Sequence, residues 1–212
     1  MADDFLQPKL ILGEGKGDRF FFARLFKEHN LQGFQADTPK VGDDTSGGID
    51  KFGRHLEAIA VASTFVNVKK IVVVADNDEA NTFTEVCAQL ASAKYNVPAA
   101  PKVFVKTDGK PDIAILMIPD TPPGCLEVLC YTAASRKWPD LVNPFATYFA
   151  ATPAVGWSVT KQAKMKVQCV LASTCKPNPA VGLYDHWQKS PQYHIPVTDP
   201  VFQDIVDFLL AM

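Results

Sequence analysis

The chain has 212 residues, of which 47% are apolar and 21% charged, and its formal net charge is -2 at pH 7. This composition excludes an intrinsically disordered chain, which would hold fewer apolar residues and a larger net charge. The balance of 21 basic against 23 acidic side chains also excludes a protein that coats nucleic acid through bulk positive charge.

The sequence indicates a cytoplasmic protein without a membrane span. No apolar run approaches the ~18 residues that cross a bilayer. The acidic first four residues lack the basic and apolar blocks of a signal peptide. Five cysteines, none of them in a Cys-x-x-Cys pair, argue against a disulfide framework and against a structural zinc site.

The first half of the chain alternates strands and helices. Short apolar runs predict three strands, at 10–12, 33–36 and 71–75. Apolar residues at helical spacing predict three helices, over 18–29, 49–63 and 83–90. The third strand is β-branched and apolar on both faces, as central parallel strands are. This order predicts an α/β fold with a mainly parallel sheet and helices on both faces.

The second half is richer in proline, because only two of the 16 prolines precede Val97. Segments 102–106 and 113–118 flank an Asp-Gly pair and predict a β-hairpin. Short helices are predicted after it, near 124–133, 140–150, 159–174 and 200–211. We therefore expect an α/β core over 1–130 and a helical C-terminal annex over 131–212, packed on the core as a second unit or continuous with it.

Acidic residues follow two of the predicted strands. Glu14 and Asp18 come after the first strand, and Asp76 and Asp78 come directly after the central one. Ligands of open α/β sheets bind where the carboxyl ends of the strands meet the loops, and carboxylates gathered there repel one another unless a cation compensates them. Oxygen ligands of this kind suit Mg²⁺. The residues predict a divalent-metal site at Glu14, Asp76 and Asp78, with helix capping as the alternative for Asp18 and Asp78.

A dinucleotide-binding turn is a weaker alternative for the same segment. Gly13-x-Gly15 lies between a strand and a helix, and Asp37 follows the second strand as a ribose partner would. However, Asp18 stands where the third glycine belongs, and acids at this turn would repel a pyrophosphate. A Walker A sequence is also absent. A nucleotide-cofactor enzyme is therefore the least favoured function.

The order of the acidic motifs resembles the Toprim domain of topoisomerases, bacterial primases, small RNA-maturing nucleases and OLD-type nucleases. The resemblance lies in strand–Glu14-Gly15-x-x-Asp18–helix, followed one βα unit later by strand–Asp76-x-Asp78–helix. It covers roughly residues 8–130 and is closest to small stand-alone Toprim-like proteins of uncharacterised function. A Toprim-like core is the expected fold.

The resemblance implies roles for individual residues. Glu14 would be the general acid/base, Asp76 and Asp78 would hold Mg²⁺ (or Mn²⁺), and Asp18 would support the site. Gly15 and Lys16, within the first motif, would support it as well. The sequence Gly124-x-x-Glu127 resembles a further acidic position, which adds Glu127 to the expected metal ligands.

Mg²⁺-dependent phosphodiester chemistry on nucleic acid, most plausibly nucleolytic, is the leading function. The alternative is a non-catalytic Toprim-like module that binds metal, nucleotide or a protein within a larger assembly. A protein partner or a homo-oligomer is compatible with both. Lys161, Lys164 and Lys166 are the candidate nucleic-acid contacts of the annex, although such lysines also suit the solvated face of an amphipathic helix.

Overall fold

The protein is built on a parallel β-sheet, as shown by a computed structural model that describes residues 4–40, 47–188 and 193–212. The strands of these residues are β1 (Lys9–Leu12), β2 (Phe34–Asp37), β3 (Lys70–Asp76) and β4 (Asp112–Ile118). They lie in the order β2-β1-β3-β4, and every neighbouring pair is parallel. The predicted α/β fold with a parallel sheet is confirmed.

Helices connect and follow the strands. In the described residues they are α1 (Lys16–Glu28), α2 (Phe52–Ala60), α3 (Thr82–Ser92), α4 (Leu126–Lys137), α5 (Pro139–Ala150), α6 (Val159–Thr174), α7 (Leu183–His186) and α8 (Gln203–Leu210). Short 3-10 turns precede α2 and α8. None of these helices has the length and apolar character that a membrane span requires.

Each face of the sheet has its own hydrophobic core, because side chains alternate along a strand. In β3, Ile71 and Val73 pack with buried residues of α2 and α3, whereas Val72 and Val74 pack with those of α1, α4, α6 and α8. Both faces are therefore covered by helices, as predicted. This double burial is the reason why the interiors of β3 and β4 are apolar at consecutive positions rather than at alternate ones.

The annex helices belong to the second of these cores. The expected boundary at residue 130 falls inside α4, and Cys130 is fully buried in the same cluster as Phe21 and Phe22 of α1. Residues of α6 and α8 complete this cluster. The hydrophobic core thus runs without interruption across the expected boundary.

The prediction of a β-hairpin was wrong for its first strand. Residues 113–118 lie in β4, which pairs in parallel with β3, but 102–106 do not form a strand. They meet β4 through an isolated antiparallel bridge between Val105 and Ile113 and through a hydrogen bond of 2.7 Å from Lys102 N to Ile115 O. Lys102, which follows Pro101, has a φ of 63° and turns the chain out of an extended conformation. The expected turn does form, with a hydrogen bond of 3.0 Å from Lys110 N to Thr107 O.

The connections between the strands leave a crevice between β1 and β3. The chain passes from β1 to β2 on one side of the sheet and from β3 to β4 on the other, so the direction of winding reverses between β1 and β3. Helix α1 lies on one face, and α2 and α3 lie on the opposite face. In doubly wound sheets this switch point is where ligands bind, at the carboxyl ends of the strands.

Candidate metal centre

Acidic residues from three separate segments converge at this switch point. They line a cleft of about 310 Å³ whose walls are formed by Glu14, Gly15, Gly17, Asp18, Gly48, Asp76, Leu126, Glu127, Lys164 and Leu183. Glu14 follows β1, Asp18 lies in the first turn of α1, Asp76 ends β3, and Glu127 lies in the first turn of α4. The fold therefore brings four of the five predicted acidic site residues into one cleft.

Backbone N–H groups orient three of these carboxylates. Asp76 N donates to Glu14 Oε1 at 2.8 Å, and Leu126 N donates to Asp76 Oδ1 at 3.0 Å. Gly15 N donates to Asp18 Oδ2 at 2.8 Å. Each bond uses one oxygen of its carboxylate and fixes the direction of the group. The remaining oxygen of Asp76, Oδ2, lies 4.0 Å from Lys164 Nζ.

Burial, together with the crowding of these acids, makes their ionisation unfavourable. Burial, together with the charges of Asp18 and Asp78, raises the pKa of Glu14 to about 7. Burial and the charge of Glu127 raise the pKa of Asp18 to about 6. The pKa of Asp76 is raised well above its ordinary value by burial and by the neighbouring carboxylates. A bound cation would relieve this repulsion.

Cys125 is a member of the cluster that the sequence did not reveal. Its Sγ, an oxygen of Asp76 and an oxygen of Glu127 all lie within 4.8 Å of one another. Burial raises the pKa of the Cys125 thiol far above its usual range, and the charges of Glu127 and Asp76 add to the effect. Because hard cations such as Mg²⁺ bind oxygen rather than sulfur, we interpret Cys125 as a neighbour of Glu127 and not as a ligand.

Asp78 and Lys16 lie outside the lining of the cleft. Asp78 is half-buried between β3 and α3, where its charge still contributes to the raised pKa of Glu14. It does not occupy the cap position of α3, which is held by Asn81. Lys16 is exposed, and its Nζ lies 5.9 Å from the centre of the Tyr184 ring. The roles expected for both residues stay predictions.

The three candidate lysines of α6 point in different directions. Lys164 lines the acidic cleft, and Lys161 lies with it beside a neighbouring groove. Lys166 instead covers two aromatic rings, with its Nζ 4.5 Å from the ring centre of Phe149 and 5.6 Å from that of Tyr131. Two of the three therefore line the acidic cleft or the groove beside it.

Comparison with known proteins gives a family and two solved structures to which the chain is similar. The family model described as "Protein of unknown function (DUF3226)" matches residues 8–211. The chain belongs to this family. It is also similar to two solved structures of the C-terminal region of the Xanthomonas campestris pv. campestris OLD protein, phased with iodine and with mercury, at 11% identity. These comparisons cover 97% of this chain and 95% of the other, with TM-scores of 0.43 and 0.46, and no curated protein matches.

In this DUF3226 chain, Asn77 lies between Asp76 and Asp78 and connects the end of β3 to the loop before α4. Its backbone N–H donates to Ile118 O at 2.8 Å, and its carbonyl accepts from Gly124 N at 2.9 Å. Its side chain donates to Pro119 O at 3.0 Å. These bonds bring the start of α4, and with it Glu127, to the end of β3. Asn77 is a positioning residue that the sequence motif left unassigned.

The structure gives Gly13 and Asp37 roles other than dinucleotide binding. A Cβ on Gly13 would lie 2.4 Å from Asp18 Cβ, so Gly13 leaves the space that Asp18 occupies. Asp37 is buried, and its carboxylate lies 3.3 Å from Lys40 Nζ and 3.6 Å from His55 Nε2. Burial alone would raise the pKa of Asp37, but these groups and backbone N–H donation from Thr38 lower it. The carboxylate of Asp37 thus interacts with groups of the protein itself.

Replacing Gly13 with Ala is expected to destabilise the protein by about 1–3 kcal/mol, because the new methyl group overlaps Asp18. Gly17 provides the matched control: it lies in α1, and a Cβ added there would meet no atom within 4 Å. Gly17→Ala should therefore stabilise the helix by about 0.5–1 kcal/mol. Urea unfolding of both variants measures the difference. Equal stability of Gly13→Ala and the natural protein would contradict this packing.

Proposed function

We propose that this protein is a Mg²⁺- or Mn²⁺-dependent enzyme that cleaves phosphodiester bonds in nucleic acid. The observation that carries the proposal is the convergence of Glu14, Asp18, Asp76 and Glu127 in one cleft at the switch point of the sheet. Carboxylates gathered at such a position are suited to hold a hard divalent cation. The Toprim-like order of the motifs supports the same chemistry.

The donor set fits a magnesium-type ion. Asp76 and Glu127 present oxygens close to one another, and burial together with the neighbouring carboxylates raises the pKa of Asp76. Mg²⁺ binds through one or two carboxylates and keeps several waters. We assign Asp76 and Glu127 to hold the ion, with Asp78 as a further expected ligand. The bound ion would supply charge neutralisation for the phosphate oxygens.

Glu14 is the proposed proton-transfer group. In the metal-free protein, burial is the main cause that raises the pKa of this carboxyl to about 7, and a carboxyl in such a buried position is suited to accept or donate a proton near neutral pH. Oε1 is held by Asp76 N at 2.8 Å, which leaves Oε2 as the atom that exchanges the proton. Asp18, oriented by Gly15 N, keeps negative charge beside Glu14 and so helps to hold its pKa high. The carboxyl group is thereby positioned before substrate arrives.

Lys164 favours a second candidate, a non-catalytic Toprim-like module. Its Nζ lies 4.0 Å from Asp76 Oδ2 and is itself a positive charge within the cleft. In that case the lysine takes the place of the cation, and the acidic cleft serves to bind a nucleotide or a protein partner. In the enzyme, by contrast, the half-exposed Lys164 contacts the phosphate of the substrate beside the metal ion.

A cleavage assay that includes Lys164→Ala separates the two candidates. For the enzyme, we expect the natural protein to cleave single- or double-stranded DNA or RNA with Mg²⁺ or Mn²⁺ and to lose this activity in EDTA. Lys164→Ala should then raise KM several-fold. For the non-catalytic module, neither protein cleaves, and Lys164→Ala binds Mn²⁺ more tightly than the natural protein does. Failure of every nucleic acid to be cleaved would overturn the enzymatic proposal.

A further inference from the structure

A second depression adjoins the acidic cleft. It has a volume of about 460 Å³ and is lined by Trp157, Lys161, Lys164 and Met165. We call it the Trp157 groove. Lys164 lines both the Trp157 groove and the acidic cleft, so the two depressions meet at this side chain. A ligand that reaches the acidic cleft along α6 passes through the groove.

The backbone holds Trp157 in place while its side chain remains exposed. Trp157 precedes Ser158, the N-cap residue of α6, and its N–H donates to Ala154 O at 3.0 Å. Its carbonyl accepts from Gln162 Nε2 at 2.9 Å. The residue is nevertheless 48% exposed. A large aromatic side chain held in solvent by a fixed backbone is a ready binding surface.

The other tryptophans of the chain differ from Trp157. The Trp138 ring lies 4.5 Å from Lys137 Nζ, and Trp187 is buried against Phe21 and His186. Among the described residues, Trp157 makes neither a ring–ring contact nor a cation–π contact. Its indole face is therefore available to a ligand.

The charges along the groove complement a polyanion. Lys161 and Lys164 are three residues apart in α6 and therefore lie on the same side of the helix. Lys161 is exposed, and Lys164 reaches Asp76 at the acidic cleft. In chain order, the groove thus offers an aromatic side chain, an exposed ammonium group and a second ammonium group that lies 4.0 Å from Asp76. This combination matches the alternating bases and phosphates of a single strand.

Resting on the proposed function, we infer that the Trp157 groove binds single-stranded nucleic acid. An unpaired base stacks on Trp157, Lys161 contacts an adjacent phosphate, and Lys164 directs the phosphate to be cleaved into the acidic cleft. Bases inside a duplex are stacked on one another and do not offer a face to an indole. The groove therefore favours unpaired strands, rather than an intact duplex, as the substrate.

Binding to labelled oligonucleotides tests the inference separately from catalysis. Fluorescence anisotropy is measured for the Glu14→Gln protein with single-stranded oligo(dT) and oligo(rU) of about 12 nucleotides, and with a hairpin duplex of similar length. We expect both single strands to bind more tightly than the duplex, and Trp157→Ala to weaken single-strand binding about tenfold. Trp157→Phe should retain most of the affinity. The tighter of the two single strands identifies DNA or RNA as the ligand.

Exposed residues outside the groove provide matched controls. Tyr148→Ala removes an aromatic ring that is 61% exposed on α5, and Lys27→Ala removes an exposed charge on α1. Both should leave binding unchanged, whereas Lys161→Ala should weaken it and reduce its salt dependence. Unchanged affinity of Trp157→Ala, a preference for duplex, or no binding of either single strand would overturn the inference. If the natural protein binds single strands but does not cleave them, only the proposed function is overturned. If the natural protein cleaves and Trp157→Ala cleaves at the same rate, only the role of the groove is overturned.

Discussion

Replacing Glu14 with Gln is expected to lower metal-dependent cleavage by about 10²–10⁴-fold, because the substitution removes a proton-transfer group but little else. The amide oxygen of Gln can still accept the hydrogen bond that Asp76 N donates to Glu14 Oε1 at 2.8 Å. The side-chain volume is also preserved. Single-turnover cleavage with Mg²⁺ measures the loss, and the far-ultraviolet circular dichroism should be unchanged.

Glu57→Gln is the matched control for this substitution. Glu57 lies exposed on α2, on the opposite side of the sheet from α1 and α4, so its replacement should not alter the cleavage rate. Asp76→Asn should also abolish cleavage, but through weaker binding of the metal ion. If Glu14→Gln cleaves at the rate of the natural protein, Glu14 is not the proton-transfer group.

In the absence of divalent cations, the acidic cluster is expected to make the protein more stable at pH 5.5 than at pH 7.5. Burial lowers the pKa of His186 from 6.5 to about 3, which offsets part of this difference because that residue favours the folded state less as the pH falls below 6.5. The folded state raises the pKa of Glu14 from 4.5 to about 7 and that of Asp18 from 3.8 to about 6. Between the unfolded and folded pKa values the folded protein binds more protons than the unfolded chain, so the free energy of unfolding falls as the pH rises. The loss begins near the unfolded values and is complete above about pH 7.

The same argument predicts that neutralising the cluster stabilises the protein when no cation is present. Glu14→Gln should raise the free energy of unfolding at pH 7.5 by about 1–3 kcal/mol and flatten its pH dependence. Asp50→Asn, at an exposed site in the 3-10 turn before α2, is the control and should change little. Urea unfolding in EDTA measures both. Destabilisation by Glu14→Gln at pH 7.5 would show that the carboxylate is already compensated within the protein.

The edge of the sheet at which the acidic cluster lies was predictable from the sequence, since all strands of a parallel sheet end at the same edge. Glu14 follows β1 and Asp76 ends β3, and these two strands are neighbours because the winding of the sheet reverses between them, which the sequence did not predict. The structure thereby brings Glu14 and Asp76 into hydrogen-bonding contact. Asp78 lies two residues beyond the strand, where the chain has already turned toward α3. Its direction therefore depends on the loop and could not be inferred from spacing.

Other parts of the site arise from packing between distant segments. Lys164 reaches Asp76 only because α6 packs against α4, and Cys125 joins the cluster only because Asn77 anchors the loop before α4. Neither of these contacts can be inferred from the periodicity of apolar residues along the chain. The short helix α7, which brings Leu183 to the wall of the cleft, is a single turn in a segment without apolar periodicity and was not predicted.

The position of a bound ion tests the central claim most directly. Crystals of the protein grown with Mn²⁺ and measured near the manganese absorption edge should show an anomalous peak at the acidic cleft, about 2.0–2.3 Å from oxygens of Asp76 and Glu127. Crystals of Asp76→Asn grown in the same way should lack this peak. A manganese peak elsewhere, or a cleft in which Lys164 stays paired with Asp76 and excludes the ion, would contradict the proposed metal centre.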